Sequence, residues 1–156
     1  MYPDSSKNLN YETDDTVYWF SSAFDPLNNW SAHVVNIWDK TFNTVEHAYH
    51  YRKYFETAPD IAKLVAAAPS PWAAMQVDRE HSGLRRKDWD NVKVEIMTEI
   101  VRAKVLQNED VRDCLQKTGN KRIVENSPWD EFWGCGADGK GENQMGKILM
   151  SVRNSL

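Results

Sequence analysis

One stretch near the C-terminus limits what this chain can fold into: Asp130-Glu131-Phe132-Trp133-Gly134-Cys135-Gly136-Ala137-Asp138-Gly139-Lys140-Gly141-Glu142-Asn143-Gln144-Met145-Gly146. Five of the seven glycines of the chain lie in it. Glycine is costly to order, and a run this dense cannot continue a helix or a strand. It reads as a tight irregular loop. Asn143 then caps a helix whose apolar positions, Met145, Ile148, Leu149 and Val152, have helical spacing. A loop that feeds a helix N-terminus presents backbone N–H groups and favours anions. The plainer reading is a long surface loop that uses glycine for its turns. Asp130 and Trp133, an acid and a stacking surface just upstream, favour a site for a nucleotide-like ligand.

A chain of 156 residues can bury a proper core as one domain. The expectation is a segment over 1–15, polar, acidic and mobile, followed by a single domain over 16–156. Aromatic residues make up 12%, with seven Trp, enough both for a core and for pockets that stack rings. The net charge of −4 gives no global attraction for nucleic acid. Cys114 and Cys135 have no metal-type spacing and make no disulfide framework. Cys114 reads as a small core residue, and Cys135, inside the loop, lacks the His pattern of a nucleophile. No signal peptide or membrane-length apolar run is visible, so the expected setting is cytoplasmic.

The rest of the chain reads as a helix-rich α+β domain with a small antiparallel sheet. Val17-Tyr18-Trp19-Phe20 is a β-type run. His33–Trp38 and Thr41-Phe42 flank a hairpin turn at Asp39-Lys40. Helices are expected from Asn43 or Thr44 to Phe55, from an Asp60 cap to Pro69, after Ser70-Pro71, from Asp88 to Leu106, and from Asn108 to Gly119. Arg122–Glu125 is a further strand.

On the helix after Asn43, Glu46, Tyr49, His50 and Lys53 are spaced i, i+3, i+4, i+7 and share one face. A carboxylate, a phenol, an imidazole and an amine together do not make a core stripe. The competing explanation for Glu46 is a capping box with Asn43, or the helix dipole if Thr44 is the cap. His47 and His50 read as packing or hydrogen-bonding residues, since no third metal ligand is spaced to join them. Arg85-Arg86-Lys87 could hold a phosphate or be a solvated turn.

Taken together, Glu46-His47 with Lys53, Arg86 with Asp88-Trp89 and Lys93, Ile123–Glu125, Asp130 with Trp133-Gly134 and Gly136, Asp138–Gly141 with Asn143 and Gly146, and Leu149-Met150 with Arg153 resemble the NADAR family. The resemblance spans about residues 17 to 155. There are departures: Asn43 where the family has proline, His50 where it has glutamine, Asn28-Asn29-Trp30 for a Ser-Asn-Phe motif, and Asp78-Arg79 for Gly-Arg.

The resemblance implies an α+β fold and cleavage of a bond between sugar C1 and an amine nitrogen. It implies that Glu46 and Asp130 are the acid/base carboxylates and that Lys53 lies near C1. Asn29, Trp30, Arg86, Trp133, Gly134, Gly136 and Asn143 would bind the substrate. The chemistry agrees: breaking a ribosyl C–N bond builds positive charge on the sugar, which a carboxylate stabilises while a second group protonates the leaving amine. No cofactor or metal is called for. Three readings stand. The first is an N-glycosidase of phosphorylated ribosylamines such as riboflavin-biosynthesis intermediates. The second is a hydrolase that removes ADP-ribose from guanine in nucleotides or DNA, and the third is a non-catalytic ADP-ribose or NAD module.

Overall fold

A computed structural model describes residues 9–20 and 25–156. Residues 1–8 of the segment expected to be mobile lie outside them. The chain divides into two compact units, one formed by 1–28 with 110–156 and one by 29–109. The helix-rich α+β class expected from the sequence is present.

The unit of 29–109 begins with a hairpin, β3 (Val35–Ile37) and β4 (Lys40–Phe42), after the two strands β1 (Tyr11–Glu12) and β2 (Thr16–Trp19) that belong to the other unit. Val35 pairs with Phe42 and Ile37 with Lys40, so the turn is Trp38-Asp39, one residue earlier than expected. Both turn residues have positive φ, 55° and 57°, as a two-residue hairpin turn requires. The register explains the shift. Val35 and Phe42 are both buried, and a slip of one residue would turn Phe42 outward. Trp38 is held by its indole N–H, which donates to Glu99 Oε1 at 3.0 Å, and by the Arg52 guanidinium 4.8 Å from its ring.

Helix α1 (Val45–Arg52) starts at Thr44, whose hydroxyl accepts from the His47 N–H. Helix α2 (Pro59–Ala67) has proline at its first position and Ala58, not Asp60, before it; Asp60 sits in the first turn, where the dipole favours it. Ser70 caps α3 (Pro71–Glu80) by accepting from Ala73 N–H, as its sequence predicts. A short 3-10 turn at Ser82–Leu84 leads to α4 (Trp89–Gln107). Asp88 precedes α4 without capping it. The α4 core stripe, Ile96, Met97, Ile100, Val101 and Val105, is buried. Helices α1, α2 and α3 pack on one another, and α1 also packs on α4.

In the other unit, β1 (Tyr11–Glu12) pairs antiparallel with β2 (Thr16–Trp19), so part of the stretch expected to be mobile is a paired strand. Strand β2 pairs with β5 (Arg122–Glu125) in parallel, Val17 opposite Ile123. The antiparallel expectation therefore holds for the β1–β2 and β3–β4 pairs, and β2–β5 departs from it. Helix α5 (Glu109–Lys117) ends before Gly119, whose φ is +59°. Cys114 is half-buried, less enclosed than the core position expected of it.

Helix α6 (Gln144–Asn154) lies against β5. A Cβ built on Gly146 would collide with the Ile123 carbonyl oxygen and the Asn143 amide, so glycine is what lets helix and strand approach. Gly146→Ala should therefore destabilise the protein by about 1–3 kcal/mol, as overpacking does. Gly83→Ala, with nothing within 4 Å of its added Cβ, should stay close to wild type. Thermal melting of the two variants side by side checks this; an unshifted Gly146→Ala would show that the helix can move aside.

Candidate active site

The face anticipated on α1 is built, and it closes around a residue from another helix. Asp78, on α3, is 3% exposed and receives four side chains. The Lys53 ammonium donates to Oδ2 at 2.9 Å. Arg85 donates through Nε to Oδ1 at 2.7 Å and through Nη2 to Oδ2 at 2.6 Å. The hydroxyl of Tyr54, a fully buried residue, lies 2.6 Å from Oδ1. His50 Nδ1 stands 3.3 Å from Oδ2, off hydrogen-bond geometry, and its Nε2 donates to Glu46 Oε1 at 2.9 Å. Glu46 and Lys53 are thus linked through His50 and Asp78.

The local backbone explains the grouping. With Thr44 as the cap, Glu46 occupies the second helical position, and its carboxylate turns to His50 one turn on. Helix α1 stops at Arg52, and Lys53 is its C-cap, so its long side chain leaves the last turn towards α3. The ammonium also lies 4.8 Å from the Tyr49 ring centre and 5.6 Å from that of Trp89, and these two rings pack edge to face. Asn29 contributes its carbonyl, which accepts from the Glu46 N–H at 3.2 Å, while its side-chain amide meets Met97 Sδ. Trp30, next to it, is half-buried.

Burial and charge compete at each group. Burial would raise the Asp78 pKa, but His50, Arg85 and Lys53 outweigh it and hold the carboxyl well below the usual carboxylate range. Burial pushes the Lys53 ammonium down, ahead of the opposing pull of Asp78. For His50, burial acts downward, yet Glu46 and Asp78 prevail and the imidazole is pushed up. His47 is different in kind. Its Nδ1 meets the Thr44 hydroxyl at 2.8 Å, its Nε2 meets the Ala68 carbonyl at 3.0 Å, and burial pushes its pKa down. It is the hydrogen-bonded packing residue expected.

Arg86 is placed differently from Arg85. Its guanidinium grips Asp88 at 2.6 and 2.9 Å, and its backbone N–H donates to the Lys53 carbonyl at 2.8 Å. Asp78 was visible in the sequence only as a departure from a family pattern. One signal did exist: Ala74 and Asp78 are four apart on α3 and are its two buried residues, so an acid sits in the helix's inward stripe.

The remaining predicted residues stand in the other unit. Asp130 Oδ1 accepts from the N–H groups of Phe132 at 3.0 Å and Trp133 at 2.8 Å, which fixes a turn. The half-buried Trp133 ring packs edge to face on Phe132 at 4.9 Å. The glycine loop doubles back on itself: Gly141 N–H donates to Cys135 O at 2.7 Å and Asn143 N–H to Gly134 O at 3.0 Å. The first two amides of α6, those of Gln144 and Met145, donate to Phe132 O and Trp133 O, both at 3.0 Å. The anion-facing N–H groups expected at this helix start are occupied by the loop itself. Asn143 also departs from its expected capping role. It has φ +51°, and its side-chain amide bonds Glu125 N–H at 2.9 Å and Ile123 O at 2.9 Å, tying the loop to β5. Gly136 helps line a cavity of about 350 Å3 with Tyr11, Tyr18, Arg122 and Asn126. Cys135 is buried, and burial pushes its thiol up, away from nucleophilic use.

A family model described as the NADAR domain matches residues 10–156. The chain belongs to the NADAR family. It is 41% identical to N-glycosidase Npun_R5314 of Nostoc punctiforme over 90% of this chain and 92% of that protein. It is 30% identical to N-glycosidase YbiA of Escherichia coli over 99% and 97% of the two chains. Riboflavin biosynthesis protein VVA0006 of Vibrio vulnificus is 34% identical over 94% of this chain, which spans 37% of that longer protein. The solution NMR structure of E. coli YbiA superposes on this NADAR chain with a TM-score of 0.80 at 28% identity, covering 94% of this chain and 88% of that one.

Among the described residues, no helix is long and apolar enough to cross a membrane, and no three His, Cys, Asp or Glu side chains are grouped to hold a metal ion.

His50 offers a test of the cluster's charge. A folded pKa above the unfolded value near 6.5 means that charged His50 stabilises the fold fully below about pH 6.5, a contribution lost as pH rises through the folded value. His50→Gln keeps a donor for Glu46 and removes the titration. Its melting temperature should fall furthest below wild type near about pH 5.5 and approach it towards about pH 9. A gap that widens with pH would mean that His50 folds neutral.

Proposed function

We propose that this chain hydrolyses the C1–N bond of a phosphorylated ribosylamine, the substrate class of phosphoribosylamino-pyrimidine intermediates in riboflavin biosynthesis. At the broader level it is an N-glycosidase, a hydrolase of N-glycosyl bonds, in keeping with the names of its Nostoc and E. coli relatives. The observation that carries the finer reading is the Lys53 amine, buried, with its pKa pushed down, and linked through Asp78 and His50 to the Glu46 carboxylate. A lysine desolvated in this way is a nucleophile for a carbonyl-type carbon.

Glycosylamines open readily to an imine at C1. The neutral Lys53 amine adds to that carbon, and the C1–N bond to the leaving base breaks as its nitrogen takes a proton. The Lys53 imine left behind is then hydrolysed: water supplies the aldehyde oxygen and the amine is restored. Glu46 stabilises the positive charge that develops at C1 or orients the water, and Asp130 is the second acid. Trp133 offers a surface for the base. Asn29, Trp30, Arg86, Gly134, Gly136 and Asn143 complete the set assigned to substrate binding. The net charge of −4 favours a small molecule over ADP-ribosylated nucleic acid.

Purified protein incubated separately with a phosphoribosylamino-pyrimidine, ADP-ribosylated guanosine and NAD should release free base fastest from the first. Faster release from ADP-ribosylated guanosine would move the substrate to the second class, and tight binding of NAD without turnover would make the site a binding module. Glu46→Gln should fold normally, because Thr44 supplies the cap, yet lose turnover. Asp130→Asn keeps the oxygen that holds the Phe132 and Trp133 amides and should likewise fold with a large loss in kcat. Wild-type rates in either variant would reduce that carboxylate to a structural role. Borohydride added during turnover should trap the sugar on Lys53, read as a mass increase on its peptide. An inactive Lys53→Ala with no trappable adduct in wild type would leave Lys53 as a hydrogen-bonding residue.

A further inference from the structure

Arg85 is a charged member of the cluster that the proposed reaction does not use. One third of its side chain is exposed, so it could reach for solvent or a ligand, yet two of its nitrogens turn inward onto Asp78. Lys53 reaches the same Oδ2 from the buried side. A single carboxylate thus serves two cations of unequal kind. A guanidinium does not lose its proton in proteins and matches a carboxylate with two parallel bonds. An ammonium holds it through one bond and can become neutral when buried. Had Lys53 been alone with Asp78, the pair would fix it as an ammonium, which cannot attack carbon.

We propose that Arg85 is a positioning residue for Lys53: by gripping both oxygens of Asp78 it takes the charge that would otherwise hold the buried amine as a fixed ammonium. Asp78 then still orients the Lys53 side chain through one hydrogen bond while leaving its nitrogen able to act as a neutral nucleophile. The inference rests on the N-glycosidase reading only for what that nitrogen attacks. The groups around Lys53 and its carboxylate are Glu46, Tyr49 and His50 from α1, Tyr54 from the turn after it, Asp78 from α3, Arg85 from beyond the 3-10 turn, and the Trp89 ring from α4. Burial drives Lys53 towards the neutral form first; Arg85 acts in the same direction, and Asp78 and Glu46 act against it.

The test needs no turnover. Reductive methylation with formaldehyde and cyanoborohydride, followed by the mass of the Lys53 peptide, reports the neutral amine as a function of pH. Arg85→Gln removes the guanidinium from Asp78, frees more of its charge for Lys53 and should move the profile up by about 1 pH unit or more, whereas Asp78→Asn removes the anion and should move it down. Arg85→Lys keeps the charge and should stay closer to wild type than Arg85→Gln. Shifts of opposite sign separate this role from loosened packing, which would relax both variants upward towards an ordinary lysine. If both move upward together, or Arg85→Gln leaves the profile in place, the proposal is overturned. Should Asp78→Asn fail to fold, the two Arg85 variants decide the matter alone. Opposite shifts combined with no release of base from any ribosylamine would support the role of Arg85 and overturn the N-glycosidase reading.

Discussion

A carboxylate buried to 3% exposure is tolerable only if its charge is matched on the spot, and Asp78 is matched by a lysine, an arginine, a tyrosine and a histidine at once. That requirement orders much of the 29–109 unit. It aims the C-terminal end of α1 at α3, draws the segment after the 3-10 turn inward, and sets the Lys53 amine beside the Tyr49 and Trp89 rings. Two apolar residues in place of an ion pair would serve stability as well or better. What the charges do fix is the position of the Lys53 nitrogen.

The part of this arrangement carried by helical periodicity was legible in the sequence. Glu46, Tyr49, His50 and Lys53 lie within two turns, so their common face follows from 3.6 residues per turn. Asp78 and Arg85 reach the same point from a separate helix and a separate turn, and only tertiary packing brings them there. The choice between Arg85 and Arg86 was equally hidden. Adjacent residues point in different directions, and only the fold shows that Arg85 meets Asp78 while Arg86 meets Asp88. Two of the four departures from the family pattern, those at His50 and Asp78, meet in this one cluster.

The glycine-rich stretch was recognised as a loop feeding a helix, and it is one. The helix N-terminus is not left open to an anion, since the loop folds back and satisfies those amides with its own carbonyls. Asn143 shows the same limit. Asparagine before a helix reads as a cap, but asparagine also tolerates a left-handed backbone, and here that conformation frees the side chain to hold β5. Strand pairing was the least legible feature. A four-residue strand carries little information about a partner at the other end of the chain, and β2–β5 is parallel where a local hairpin would be antiparallel.

That parallel pair has a consequence for how the protein is made. Strand β2 emerges from the ribosome before the 29–109 unit, and its partner β5 and the helix that packs on β5 emerge after that unit. The 29–109 unit, by contrast, is one contiguous piece of chain. It can complete its contacts during translation, while β2 waits with an unpaired edge, a surface prone to pair wrongly. The two parts of the chain therefore mature on different clocks. The buried lysine and its carboxylate can be assembled before α6 exists, and the β2–β5 pair must wait for a long-range closure that is intrinsically slow.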